Sequence, residues 1–427
     1  MPLTKEGYRP RLIDTELAKH LASFGAVCLE GPKWCGKTWT SLNQANSVVY
    51  IGNPENNFQN RALAELSPDL VLEGESPRLV DEWQQVPSIW DAVRFAVDQR
   101  PDKGRYILTG SATPRHKGIL HSGTGRISSL RMRTMSLFES GDSSGQVSLQ
   151  SLFGEPLMPV RAESVTLDRL IAHTVRGGWP NTAELVLSNA MEAPKAYLKA
   201  VVEDDMFQVD GVARDYHKVR LLLQSLARNE STTASIPTLR RGIIEYEGDD
   251  ISLRTIGDYL NVLERLFLLE NQPAFNPNLR SSVRVGKSAK RHFVDPSLAV
   301  ASLGATPDML KNDLKTFGFL FEALCERDLR IYAESWGGHL YHYRDGTGRE
   351  IDAVIELPDG RWGAFEIKLG GNQIDSAAAK LLDIQQWMKQ DPNARPPEIL
   401  CVLCGMQNYA ATRPDGVMVI PITALRS

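Results

Sequence analysis

Three observations predict an α/β chain built of three domains. The chain has 427 residues, more than one hydrophobic core usually organises. Strand and helix patterns alternate over residues 20–140 around a glycine-containing loop. A second strand series follows residue 305, after a stretch of helical periodicity over 193–270. The expected division is 1–155 for a P-loop α/β domain, 156–304 for a helical domain with a winged helix-turn-helix, and 305–427 for a second α/β domain.

Composition narrows the class. Hydrophobic residues make up 42% and charged residues 23%, ordinary for a globular chain, and no apolar run of ~18 residues could span a bilayer. The opening MPLTKEGYRPRL lacks the apolar core of a secretory signal, and five cysteines are too few for a disulfide framework, so a reducing cytoplasm is expected. Cys401 and Cys404 form a CxxC spacing inside an apolar run with no second ligand pair beside it, which predicts a buried strand rather than a zinc or redox site. The formal charge of -4 supplies no global field for nucleic acid, so any such contact must come from a local patch.

In the first domain, residues 25–30 read as a short buried strand leading into Gly31-Pro32-Lys33-Trp34-Cys35-Gly36-Lys37-Thr38, which satisfies GxxxxGK[ST] at every required position. In that motif backbone N–H groups wrap the phosphates of ATP or ADP, Lys37 reaches the β- and γ-phosphates, and Thr38 offers a hydroxyl to Mg²⁺. Trp39 continues into a helix and completes the nucleotide-binding stretch. The strand at 77–82 ends in two carboxylates, Asp81 for the metal shell and Glu82 for the attacking water; the alternative is a helix cap, since Pro87 and the periodic Ile89, Val93, Phe95 and Val97 announce a helix. A third strand, 105–111, ends in small polar residues, of which Ser111 or Thr109 could sense the γ-phosphate.

With GPKWCGKT, LVDEWQQVP, YILTGSAT, SGTGR and YLKAVVEDDMFQVDGVARD in view, the chain resembles the AAA-type ATP-binding proteins of bacteria and archaea that carry an uncharacterised domain after the P-loop domain. The resemblance implies sensor chemistry at Ser111 and makes Arg126 a candidate arginine finger, acting in trans in a homo-oligomer; the alternative is a surface or sheet-capping arginine. The Trp34-Cys35 pair departs from the smaller residue usual inside the loop, which bears on nucleotide preference.

Further along, GDSSGQ at 141–146 reads as a link, and GGWPN as an aromatic turn. Ser252 is placed to cap a helix whose outer face carries Arg254, Thr255, Asp258 and Asn261, and two short strands over 271–295 would complete a winged helix. Arg280, Arg284, Lys287, Lys290 and Arg291 in the wing could hold phosphates, DNA before RNA; a solvated hairpin, or a lid on the ATPase, explains them too.

The last domain opens with a helix bearing Glu322, then strands around Asp352 and the acid-x-lysine pair Glu366 and Lys368. Acid on one strand and ExK on the next is the arrangement of restriction-endonuclease-like phosphodiesterases, in which Asp352 and Glu366 would hold a divalent ion and Lys368 would act on the water. The competing reading is a structural salt-bridge set. Two functions follow: ATP hydrolysis coupled to nucleic-acid binding or processing, or an ATP-dependent regulatory switch whose nuclease-like domain is inactive.

Overall fold

The computed structural model describes residues 7–113, 121–278, 288–392 and 394–427. It divides into two compact units: Met1–Thr134 with Glu203–Arg214 and Asn261–Leu268, and Met135–Val202 with Asp215–Leu260 and Leu269–Ser427.

The first unit is built on one parallel sheet. Its strands are β1 (Ala26–Glu30), β2 (Ser47–Tyr50), β3 (Arg78–Asp81), β4 (Tyr106–Gly110) and β5 (Ile127–Arg131), in the order β2-β3-β4-β1-β5. Successive residues point to opposite faces, so Ala26, Cys28, Val80 and Leu108 pack with Ile89 and Val93 of the helix Ser88–Asp98. Val27, Leu79 and Ile107 pack on the other side with Leu17 and Leu21 of the helix Ile13–Ser23. Both faces are covered, and that is why these strands read as unbroken apolar runs. Phe95, expected in the buried stripe, is exposed; Trp90 takes the buried place, because Phe95 lies ~200° around the helix from Val93.

Because Glu30 lies beside Gly110 and Asp81 beside Thr109, the C-terminal ends of β1, β3 and β4 meet at one edge. The loop after β1, the acids after β3 and Ser111 after β4 are therefore neighbours. Arg126 sits at the other edge: its carbonyl accepts from the N–H of Ala26, at the start of β1.

The second unit includes the short strands β6 (Val147–Ser148) and β7 (Val160–Arg161), which pair with strands near residue 427 and residue 410. β6 pairs with the last strand of the chain, and Ser143 Oγ donates to the carbonyl of Leu425 at 2.6 Å, so GDSSGQ is tied down rather than a loose link. β7 closes the edge of the large sheet. These pairings place residues 135–202 in the same compact unit as residues 269–427.

Three helices follow, Tyr216–Arg228, Ile236–Glu247 and Leu253–Arg265, then the antiparallel ribbon β8 (Leu269–Gln272) and β9 (Lys290–Phe293). Thr232, between the first two helices, bridges to Arg291 of β9. Ser252 Oγ accepts from the N–H of Thr255 at 3.0 Å, as a cap should, and Arg254, Asp258 and Asn261 are exposed. Of the wing cations, Arg280, Arg284 and Lys287 lie outside the described residues.

The large sheet runs β10-β11-β12-β13-β15-β14-β7. β10 (His339–Arg344), β11 (Glu350–Glu356) and β12 (Trp362–Gly370) are antiparallel neighbours, while β12 and β13 (Ile399–Met406) are parallel. β15 (Met418–Pro421) and β14 (Tyr409–Thr412) continue it, and β16 (Leu425–Arg426) pairs with β6. The helix Ile374–Gln390 lays Ala377, Leu381 and Ile384 against Ala364, Val402 and Val354. Cys401 and Cys404 are fully buried free thiols in β13, as the apolar run predicts.

Candidate nucleotide site and carboxylate cluster

The loop after β1 is shaped by what cannot be there. A Cβ on Gly31 would lie 2.1 Å from the carbonyl oxygen of Met132, so no side chain fits. Gly36 adopts φ 103°, a left-handed conformation that starts the helix Lys37–Gln44. Trp34 also takes a positive φ, 66°, and is half exposed, so its bulk points away from the packed loop; Cys35 is buried. Arg11, buried, donates to the carbonyls of Cys35 at 2.8 Å, Arg133 at 3.0 Å and Thr134 at 3.1 Å, and so staples the loop to the strand after it. Lys37 Nζ donates to the carbonyls of Gly31 at 2.9 Å and Pro32 at 2.7 Å, inside the loop. Lys33 leaves the loop to meet the buried Asp205 carboxylate at 2.6 Å. Trp39 is partly buried in the first turn of the helix.

Beside the loop, Thr38 Oγ1 donates to Asp81 Oδ1 at 2.8 Å, and Thr109 Oγ1 donates to the same oxygen at 2.6 Å. Thr109 thereby uses its proton on Asp81 and accepts the N–H of Glu82 at 3.1 Å, so it positions both acids rather than facing a phosphate. Burial pushes the Asp81 carboxyl up from its ordinary value against the pull of the two hydroxyls. Glu82 has φ 59° and ψ 44°, a left-handed conformation costing roughly 1–2 kcal/mol in a residue with a Cβ. Hydrogen bonds to a charged group, at about 1.5–3 kcal/mol each, offset that cost. Its Oε2 accepts from Gln84 Nε2 at 2.5 Å and from Ser111 Oγ at 3.1 Å. Neither acid makes a side-chain cap to the turn Trp83–Gln85 or the helix after it, so the capping alternative does not describe them. A cavity of about 600 Å³ adjoins, lined among others by Lys33, Glu82, Gln84, Ser111 and Asp205.

Arg126 does not join these residues. Its Nε donates to Asp98 at 2.6 Å, half exposed at the opposite edge of the sheet.

In the second unit, Asp352 of β11 and Glu366 of β12 come together with Lys368, as the ExK pattern predicts. Lys368 Nζ lies 3.2 Å from Asp352 Oδ2 and 3.0 Å from Glu366 Oε2, and the N–H of Ile367 donates to Asp352 Oδ2 at 2.9 Å. The contact to Glu366 Oε2 is ionic and lacks hydrogen-bond geometry. Lys380, from the helix Ile374–Gln390, donates to Glu366 Oε1 at 2.8 Å. Glu322 takes a different partner: Lys290 of β9 reaches its carboxylate at 2.5 Å, Glu326 at 3.2 Å and the carbonyl of Asp352 at 3.2 Å. Lys290 is thus turned into the protein and not toward a phosphate, which corrects its assignment to a nucleic-acid-holding wing. Burial pulls the ammonium groups of Lys290 and Lys368 down, but the surrounding carboxylates outweigh it and hold both above the usual value. Burial raises Glu322 and Glu366, whereas Asp352 is held low by Lys368 and Lys290 despite its burial. Among the described residues no group of three His, Cys, Asp or Glu side chains converges; Asp352 and Glu366 meet as a pair, with Lys368 between them.

Sequence reasoning missed Arg11, Asp205, Lys380 and Gln84. Only Gln84 carried a local signal, standing two residues after Glu82 in LVDEWQQVP.

Family models match three stretches: an AAA domain over residues 23–140, and two domains of unknown function, DUF8612 over 167–309 and DUF4143 over 317–425. Rv2008c of Mycobacterium tuberculosis and Mb2031c of Mycobacterium bovis, both described as uncharacterised, are each 25% identical over 345 residues, covering 80% of this chain and 70% of theirs. The Walker-type ATPase PABY2304 of Pyrococcus abyssi aligns with a TM-score of 0.40 at 12% identity, over 70% of this chain and 99% of its own. The Aeropyrum pernix Orc1 protein, solved in complex with DNA, aligns with a TM-score of 0.26 at 15% identity, over 72% of this chain and 96% of its own. TM-scores this low establish no shared fold. The AAA match and the geometry of the loop together make residues 23–140 an ATP-binding P-loop domain of AAA type. No helix among the described residues is long and apolar enough to cross a membrane.

Proposed function

We propose that the chain hydrolyses ATP at this loop and uses the nucleotide state to control a C-terminal domain that binds without cutting. The observation that carries the first half is the meeting of Thr38, Asp81 and Thr109 on one oxygen, with Glu82 and Ser111 beside them at the ends of adjacent parallel strands. Hydroxyl and carboxylate oxygens are the donor set a hard cation takes, and Mg²⁺ held by Thr38 and Asp81 would offset charge on the β- and γ-phosphates. Lys37 turns from the loop carbonyls to those phosphates. Glu82 takes a proton from water as its oxygen bonds to the γ-phosphorus; the bond to the bridging oxygen breaks, and ADP leaves with that electron pair. Ser111 donates to the γ-phosphate. Arg126 enters only from a second copy of the chain, as a finger across a homo-oligomer. The test is steady-state ATP turnover by the full chain with Mg²⁺: Lys37→Ala should lose nucleotide binding and turnover while keeping the far-UV circular dichroism of the wild type. Full turnover in that variant would sink the reading.

The second half rests on Lys290, Lys368 and Lys380, which already answer the charges of Glu322, Glu326, Asp352 and Glu366. This favours binding or regulation over metal-dependent cleavage at the second unit. The partner we propose is nucleic acid, DNA before RNA, met through the outer face of the helix Leu253–Arg265; the helix-helix-helix-ribbon order supports it. Calorimetric titration with Mn²⁺, beside a cleavage assay on single- and double-stranded DNA, tests this. Saturable Mn²⁺ binding abolished by Asp352→Asn, with Mn²⁺-dependent cleavage, would restore the nuclease reading.

A further inference from the structure

Glu82, Ser111 and Gln84 form a closed triangle of hydrogen bonds. Gln84 Nε2 has two hydrogens and spends one on Glu82 Oε2 at 2.5 Å and the other on Ser111 Oγ at 3.1 Å. Ser111 accepts that bond and gives its own proton to Glu82 Oε2 at 3.1 Å. Every donor in the triangle is used, and both carboxylate bonds fall on the same oxygen. Oε1 of Glu82 accepts no hydrogen bond among the described residues.

The backbone around Gln84 is fixed for this contact. The left-handed Glu82 reverses the chain, and the short turn Trp83–Gln85 brings the second residue after the acid back beside it. Trp83 anchors the turn: it is buried in the core, with its ring centroid 4.9 Å from that of Trp90. Gly110 supplies the room, since a Cβ there would lie 3.0 Å from Trp83 Nε1 and 3.3 Å from Gln84 Oε1. Gln84 Oε1 itself is buried and has no hydrogen-bond partner among the described residues. A side chain held there only for packing would not leave its one acceptor unanswered while using both donors on an acid and a hydroxyl.

We propose that Gln84 is the positioning residue of the hydrolytic site: its amide holds one oxygen of Glu82, leaves the other for the proton of the attacking water, and yokes Glu82 to Ser111. When Ser111 turns toward a γ-phosphate, the triangle opens at one corner and Gln84 keeps the carboxylate aimed. Gln84 touches neither phosphate nor water in this scheme; it acts through Glu82. The inference rests on ATP hydrolysis at this loop and deepens it.

The test compares the full-length wild type with Gln84→Ala, Gln84→Met, Glu82→Gln and the double variant Gln84→Ala/Glu82→Gln. ATP turnover, KM, equilibrium ATP binding and thermal midpoint are read for each. Misplacing a catalytic group by about an ångström costs up to roughly a hundredfold, so kcat of Gln84→Ala should fall about ten- to a hundredfold with ATP affinity within about twofold of wild type. In the Glu82→Gln background the same change should cost nothing further, because its effect passes through the acid that is already gone. Gln84→Met keeps the volume without the donors and should match Gln84→Ala; it also serves if the alanine variant is too unstable to assay. Unchanged kcat in both Gln84 variants, a change confined to KM, or an equal loss on top of Glu82→Gln would each overturn the proposal. A wild type without turnover would instead remove the hydrolysis reading on which it stands.

Discussion

Two groups of acids in this molecule are held in opposite ways. Asp81 and Glu82 are gripped by neutral donors: two threonine hydroxyls on one, a serine hydroxyl and a glutamine amide on the other. Glu322, Glu326, Asp352 and Glu366 are gripped by ammonium groups. A hydroxyl or amide aims a carboxylate and leaves its charge available to a cation or a proton. A lysine cancels the charge as it aims it. The difference separates acids whose charge is left to act from acids whose charge is already balanced.

The sharpest way to break that comparison is at Lys290. Removing one partner of a buried ion pair costs about 3–5 kcal/mol, because the abandoned carboxylates keep their desolvation cost. Lys290→Met should therefore lower the urea midpoint by an amount equivalent to about 3–5 kcal/mol, leaving Glu322 and Glu326 without their ammonium. A midpoint unchanged within error would mean that the acids are not balanced by lysine at all. Glu82→Gln comes next and should do the converse. It should slow ATP turnover by roughly a hundredfold or more while the urea midpoint falls less than in Lys290→Met, since an amide oxygen can keep both bonds and loses only their charge assistance. The smallest effect is expected from Thr109→Val, which removes one hydroxyl serving both acids and should cost on the order of 1–3 kcal/mol of stability by chemical denaturation. A loss no larger than that of an exposed threonine would show that Thr38 holds Asp81 by itself.

What the sequence made legible was local. GPKWCGKT, the acids that end β3 and the small residues that end β4 could be placed because each lies at a strand terminus, and parallel strands deliver their ends to one edge. The pairing of Asp352 with Glu366 and Lys368 was legible for a similar reason, since two tight turns fix the register of three adjacent strands. The partners that decide the chemistry were not. Lys290 looked like one more cation of an exposed ribbon, and only tertiary packing against Glu322 turns it inward. Asp205 lies 172 positions from Lys33, and Arg11 lies more than a hundred from the carbonyls of Arg133 and Thr134 that it binds. The strand pairings between residues near 147–161 and 409–426 were hidden for the same reason, since long-range pairing leaves no mark in composition.

Those same pairings set a timetable for assembly. Ribosomal synthesis delivers Val147–Ser148 and Val160–Arg161 long before their neighbours Leu425–Arg426 and Tyr409–Thr412 exist. Until the last strands emerge, Tyr409 and Ala410 are unavailable to Arg161 and Val160, and those backbone groups stand open to solvent or to a stray strand from another chain. The large sheet, whose outer member is laid down some two hundred and fifty residues ahead of the strand it joins, must close its longest loop at the end. Growth of the nascent chain thus runs in one direction while completion of the sheet runs in the other.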